Sequence, residues 1–210
     1  MARLALVAVL AYLVGSVPFG FLVGRARGVD LRKVGSGNVG STNVYRALGL
    51  RVALFVFALD AGKGLVATRL ISMIGAGVLD ATYMRLIAAL AVMLGSVAGV
   101  FMRFRGGKGV ATGAGVFLGL APLATVISIA AWAALVAATR IVSVGSLAAA
   151  AVLPALVGAL ASQGYVRNPV FYLALVVAGI VFVSHRSNIG RLLQGRENRV
   201  GRRRDAEEQG

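Results

Sequence analysis

The 210-residue chain contains no cysteine, one histidine, one tryptophan and seven acidic residues. Without cysteine there is no disulfide framework and no thiolate metal site. A single histidine and so few carboxylates argue against a zinc or calcium cage, so no metal and no cofactor is expected. Charge is scarce as well: 14% of residues are charged, against about 25% in soluble domains. Hydrophobic residues make up 59%, above the roughly 45–50% of soluble domains.

The apolar residues come as long runs. Leu4–Val23 holds no charge, and about 20 such residues are needed to cross the hydrocarbon. A cleaved signal peptide is the alternative reading of this run. It is too long for a usual signal core, and Pro18 and Phe19 stand where small cleavage-site residues belong. Six further spans are predicted near Ala53–Ile74, Met84–Phe101, Val110–Leu120, Leu123–Thr139, Val144–Ser162 and Pro169–Ser184. As one helix, Val110–Thr139 would be about 45 Å long at roughly 1.5 Å per residue, half again the membrane core. Pro122 offers the break, and the short first half is then tilted or partly re-entrant.

The net charge of +15 raises nucleic acid as a partner. Its distribution favours a basic membrane face instead. Lys and Arg gather in Arg25–Arg51, in Arg103–Lys108 and between Arg186 and Arg204. Positive loops stay cytoplasmic. An even number of spans must then separate the first cluster from the last, which requires the break at Pro122. The expected fold class is an all-α integral membrane protein with seven transmembrane helices, N-terminus outside and C-terminus cytoplasmic. Residues 1–200 read as one multi-span unit. Residues 201–210, Arg-rich then acidic, read as a disordered tail that contacts lipid headgroups. The abundant Ala and Gly suit close helix packing in a membrane.

Three polar clusters interrupt the apolar chain. The first is Gly35-Ser36-Gly37-Asn38-Val39-Gly40-Ser41-Thr42-Asn43-Val44-Tyr45-Arg46. Its glycines permit backbone N–H groups to converge, and its Ser, Thr and Asn side chains add donors. Arg46 adds a fork suited to phosphate oxygens. Walker A spacing is absent. The second is Arg103-Phe104-Arg105-Gly106-Gly107-Lys108-Gly109-Val110-Ala111-Thr112, with glycines and cations before a helix start. Such a start favours an anion. The third is His185-Arg186-Ser187-Asn188-Ile189-Gly190-Arg191-Leu192-Leu193-Gln194-Gly195-Arg196-Glu197. If the last helix continues through it, His185 and Asn188 share a face, although Gly190 weakens that helix.

Two smaller signals accompany these. Asp60 and Lys63 lie inside the second span, where charges are costly and are paired or functional. At i, i+3 they can pair with each other. Ser143 and Ser146 fall at a cytoplasmic helix start and are either N-caps or phosphate donors.

Together, SGNVGSTNVYR, LDAGKG, FRGGKGVAT and HRSNIGRLLQGRE, in this order between spans, resemble the PlsY-type glycerol-3-phosphate acyltransferases. The resemblance runs from Gly15-Ser16-Val17-Pro18-Phe19-Gly20 to Glu197. It implies transfer of a fatty acyl group from an acyl-phosphate donor to a glycerol 3-phosphate acceptor, giving lysophosphatidic acid and phosphate. It implies a bacterial inner membrane, a cytoplasmic active site, and a functional link to an enzyme that forms acyl-phosphate. Carried over by position, substrate and phosphate binding falls on Ser36, Gly37, Asn38, Thr42, Asn43 and Arg46, and on Gly106, Gly107 and Gly109 around Lys108. Lys108, His185 and Asn188 take the catalytic places. One of Ser143 or Ser146 joins them, with Ser146 preferred.

Acyl-phosphate is a mixed anhydride and already activated. The chain shows no Ser-His-Asp set, and the HxxxxD pattern of coenzyme-A-dependent acyltransferases ends here on Gly190. Direct attack by a glycerol hydroxyl is therefore expected, driven by positioning and charge stabilisation. His185 is either the base or only a phosphate ligand. Two other classes compete. A transporter for a phosphorylated solute predicts matching broken spans in two halves, and no such repeat is visible. A structural lipid-binding protein predicts indifference to loss of Lys108 or His185.

Overall fold

A computed structural model describes residues 1–200; the charged tail expected to be disordered lies outside the described residues. Among them the chain is helical, with no strand. Ten α-helices follow in order: α1 (Ala2–Ser16), α2 (Phe19–Ala26), α3 (Ser41–Leu48), α4 (Leu50–Arg69), α5 (Ala81–Val97), α6 (Val110–Leu120), α7 (Pro122–Thr139), α8 (Val142–Ser162), α9 (Asn168–Ser184) and α10 (Arg186–Leu193).

Four segments are long and apolar enough to cross a membrane: Ala2–Ala26, Ala81–Met102, Pro122–Thr139 and Val142–Ser162. α9 meets the same length and composition requirement only together with α10, from which it is bent by 60°; counted as one broken span, the pair brings the number to five. α6 has 11 residues and falls short in length. α4 has 20 residues but carries Arg51, Asp60, Lys63 and Arg69.

Prolines set several breaks. Pro18 holds Val17 extended and splits the first apolar run into α1 and α2. Lys63 fills the gap by donating to the Gly15 and Val17 carbonyls at 3.0 and 3.1 Å. Pro122 opens α7, as the length argument requires, with Ala121 turning the chain. The last helix does not continue through the third cluster as a straight rod. It stops at Ser184, and His185 is the corner from which α10 departs. Gly190, the suspected weak point, lies within α10.

Glycines set the helix spacing that builds the site. A Cβ at Gly64 would lie 2.2 Å from the Thr112 carbonyl oxygen, and one at Gly115 1.8 Å from that of Ala61. α4 and α6 therefore meet backbone to backbone. Gly15 and Gly95 do the same for α1 and α5. Met84, Val92, Met93, Val116, Phe117 and Val157 fill the core between these helices. Large apolar side chains remain exposed on the outside, among them Leu54, Phe55, Leu123, Val126, Tyr172 and Val176. A membrane-integral protein offers such a surface to lipid.

Candidate active site

The loop between α2 and α3 is shaped by its own asparagines. Asn43 is buried at the first turn of α3. Its amide donates to the Leu31 and Val34 carbonyls, both at 3.0 Å, and its oxygen accepts from the Ser36 N–H at 3.0 Å. Asn38 accepts from the Gly40 N–H at 2.8 Å. Gly35 and Gly37 take positive φ, and a Cβ on Gly35 would strike the Asn43 oxygen at 2.3 Å. Asn43 thus clamps the loop. Ser36, Thr42 and Arg46 line the resulting pocket, and among the described residues their side-chain polar groups make no hydrogen bond.

The glycines before α6 also divide their work. The Gly106 and Gly107 N–H groups bond back to the Val97 and Ser96 carbonyls at the end of α5. Gly109, at φ 75°, starts α6. Lys108, Gly109 and the first turn of α6, with its unpaired N–H groups, line the same pocket as the first loop. Gly37 and Gly106 are not on its wall.

The third cluster closes the pocket from the far end of the chain. Lys108 Nζ donates to Asn188 Oδ1. Asn188 Nδ2 donates to Glu197 Oε1 at 2.6 Å, and Ser143 Oγ donates to the same oxygen at 3.0 Å. Arg191 Nε reaches Glu197 Oε2 at 2.7 Å. Glu197, only the last letter of the third motif in sequence, therefore gathers Ser143, Asn188 and Arg191, and through Asn188 also Lys108. Ser143 and Ser146 do not cap α8, whose N-cap is Ile141. Ser143 belongs to the Glu197 network. Ser146 donates to the Val142 carbonyl at 3.0 Å and accepts from Trp132 Nε1 at 3.3 Å.

His185 is 2% exposed. Its Nδ1 lies 2.8 Å from the Val181 carbonyl, which can only accept, so Nδ1 carries the proton and Nε2 the lone pair. Burial and the nearby Lys108 charge push its pKa down to about 4, so the imidazole is neutral at pH 7. Burial pushes Lys108 down to about 8, with Glu197 opposing, so it stays mostly cationic at pH 7. Burial is the largest influence on Glu197 and raises its pKa, but the hydrogen bonds from Arg191, Asn188 and Ser143 together win and hold the carboxyl ionised.

The polar pocket has a volume of about 120 Å³. An apolar cavity of about 410 Å³ adjoins it, walled by α4, α7, α8 and α9 through residues such as Leu54, Phe57, Ile129, Leu153 and Val177. Thr42, Phe57, Val110, Trp132 and Ser146 line both spaces. Phe57 carries no sequence signal that separates it from other apolar residues of a span, and Trp132, though the one tryptophan, belongs to none of the polar clusters.

Known proteins match nearly the whole chain in sequence and in fold. The profile of the glycerol-3-phosphate acyltransferase family matches residues 5–195. A glycerol-3-phosphate acyltransferase of Geobacter sulfurreducens is 46% identical over 190 residues, covering 90% of this chain and 93% of its relative. One from a Roseiflexus species is also 46% identical, covering 95% and 96%. The crystal structure of PlsY, an integral membrane glycerol 3-phosphate acyltransferase, in its glycerol 3-phosphate form superposes with a TM-score of 0.84 at 40% identity, covering 96% of each chain. A second form of that protein, with lysophosphatidic acid, gives 0.83 at 39%. On a profile match over residues 5–195 and a fold shared at this identity, the chain belongs to the glycerol-3-phosphate acyltransferase family, of the PlsY type.

Proposed function

We propose that this enzyme transfers a fatty acyl group from acyl-phosphate to glycerol 3-phosphate in bacterial phospholipid synthesis, giving lysophosphatidic acid and phosphate. One observation carries the choice of donor: a cation-lined polar pocket adjoins an apolar cavity, with Thr42, Val110 and Ser146 on the wall of both. A donor with a phosphate head and an acyl tail fits that junction. Its phosphate meets Lys108, Arg46 and the start of α6, and its chain lies along Phe57 and Trp132.

The acceptor hydroxyl attacks the acyl carbon. A C–O bond forms to glycerol, the bond from the acyl carbon to the phosphate oxygen breaks, and phosphate leaves. His185 Nε2 is a weak base when its conjugate acid titrates near 4. The departing phosphate is the better proton acceptor, and His185 Nε2, which can only accept, positions the attacking hydroxyl by taking a hydrogen bond from it. Catalysis rests on positioning and on Lys108 and helix-start N–H groups facing the developing charge.

In this reading residues 1–200 act as one unit in the inner membrane. α4 and α6 also cross, for seven crossings with the N-terminus outside and the pocket at the cytoplasmic face. The placement of Lys and Arg supports that orientation. The Asp60–Lys63 pair, 2.9 Å apart, lowers the cost of burying charge in α4. An enzyme that forms acyl-phosphate supplies the donor.

Purified protein in detergent is expected to release phosphate from acyl-phosphate only when glycerol 3-phosphate is present. Monodisperse, folded protein that releases none would overturn the proposal.

A further inference from the structure

Asp60 is the carboxylate of the polar pocket that the mechanism leaves without a task. It sits on α4, one turn after Phe57. Its Oδ1 is 2.9 Å from Lys63 Nζ, and Lys63 is fixed in turn by the Gly15 and Val17 carbonyls that the break before Pro18 exposes. Among the described residues nothing hydrogen-bonds to Oδ2. The side chain keeps 15% of its accessibility, and its opening is into the polar pocket and into a void of about 30 Å³ beside it, shared with Ser16 and Ser96.

A carboxylate beside a phosphate pocket weakens anion binding through like-charge repulsion. Lys63 offsets that charge, but it occupies only one oxygen. The other pocket carboxylate, Glu197, has both oxygens engaged. Of the remaining polar wall, Arg46, Lys108 and the backbone N–H groups only donate, the Ser36 and Thr42 hydroxyls can do either, and His185 Nε2 is a neutral acceptor supplied from the other end of the sequence from α4. Phosphate oxygens suit those donors. The hydroxyl groups of a glycerol moiety are themselves donors and need an acceptor.

We infer that Asp60 Oδ2 accepts a hydrogen bond from the glycerol hydroxyl that is not acylated, and so selects a diol phosphate as the acceptor. The position of Asp60 separates the two hydroxyls. Asp60 lines the polar pocket and the small void but not the apolar cavity, whereas Phe57 lines the polar pocket and the apolar cavity. The acyl carbon arrives from the apolar side, so the attacking hydroxyl faces Phe57 and the other faces Asp60. Lys63 is the positioning residue that aims the carboxylate. Because glycerol 3-phosphate is the acceptor only under the acyltransferase reading, Asp60 has this role only if that reading holds.

The test compares glycerol 3-phosphate with 3-hydroxypropyl phosphate, which keeps the terminal hydroxyl and lacks the other. Wild-type enzyme should prefer glycerol 3-phosphate by about 100-fold in kcat/KM, the worth of one hydrogen bond to a charged acceptor. Asp60→Asn keeps an oxygen for Lys63 and loses the carboxylate. It should cut that preference to less than about tenfold, with the KM for acyl-phosphate unchanged. Asp60→Glu keeps the charge and misplaces the oxygen, and should raise the KM for glycerol 3-phosphate roughly tenfold with the donor KM unchanged; it carries the test if the Asn variant does not fold. A wild-type enzyme that treats both acceptors alike overturns the assignment. So does a folded variant that loses activity equally on both while keeping the wild-type ratio, since that is a structural ion pair. A wild-type enzyme with no acyl transfer to glycerol 3-phosphate overturns the acyltransferase reading itself.

Discussion

Asn188 donates to Glu197 at 2.6 Å, and through that contact the segment after α10 sets the position of Lys108. The amide can do this only in one orientation. Its nitrogen must face the carboxylate and its oxygen the lysine. The carboxylate therefore fixes which way Asn188 points, and Asn188 fixes where the cation sits.

Removing Glu197 leaves Ser143, Asn188 and Arg191 without their shared acceptor. Breaking a buried pair by deleting one partner costs roughly 3–5 kcal/mol. Glu197→Ala is expected to lower kcat/KM by more than about 100-fold and to lower the melting temperature in detergent. Glu197→Gln should lose less of both. Steady-state assays with a thermal melt of each variant check this.

Activity and stability should respond oppositely to pH through Lys108. Its pKa lies at about 8 in the fold and at 10.5 when unperturbed. In the proposed mechanism this cation holds phosphate; it is lost as pH rises through 8, so kcat/KM should fall there. The unfolded chain holds that proton to higher pH than the folded one. Lys108 thus contributes rising stability between pH 8 and 10.5. Lys108→Arg should move the alkaline limb of activity upward, because arginine stays charged. A pH–rate profile beside a pH series of melts separates the two effects.

The chain has one histidine, so its imidazole spectrum is a single set of signals. With the pKa near 4 and Nδ1 bonded to Val181, a neutral ring protonated on Nδ1 is expected at pH 6. Nitrogen-15 NMR of histidine-labelled protein in detergent reads this directly. A cationic ring at pH 6 would contradict the environment described for His185.

Gly115 and Gly62 offer a matched pair of alanine substitutions. A Cβ at Gly115 meets the Ala61 carbonyl at 1.8 Å, while one at Gly62 meets nothing within 4 Å. Gly115→Ala should separate α4 from α6 and cost about 1–3 kcal/mol, with a large loss of activity because Phe57 and Asp60 move away from Lys108. Gly62→Ala should be neutral or slightly stabilising, since alanine is the better helix former. Thermal melts and assays of both variants decide it.

Particular residues show how far the sequence could be read. The break at Pro122 was legible because a helix over Val110–Thr139 exceeds the membrane, and proline marks where it can stop. The Asp60–Lys63 pair was legible because i, i+3 places two charges on one helix face. The corner at His185 was not. Residues His185 to Leu193 are compatible with continuing the helix, and the bend depends on the Glu197 and Lys108 contacts that α10 makes. Asn43 reads as one more phosphate donor in a polar run. Its burial against Leu31 and Val34, residues 12 and 9 positions away, makes it a loop clamp.

By itself the sequence determined the environment and the chemistry on offer. Apolar runs of membrane length force helices, because backbone groups in lipid must pair within their own segment. Glycines, cations and small donors in three clusters specify an anion-handling protein. Only the tertiary structure decided which of those groups share a pocket. Lys108, Asn188 and Glu197 meet because glycine-thin helices pack backbone to backbone and bring distant segments together, and contacts at that sequence separation leave no periodic trace. The same packing placed the apolar cavity beside the polar pocket. In the proposed reaction that junction joins a phosphate site to a place for an acyl chain, and its walls Phe57 and Trp132 lie outside every polar cluster of the sequence.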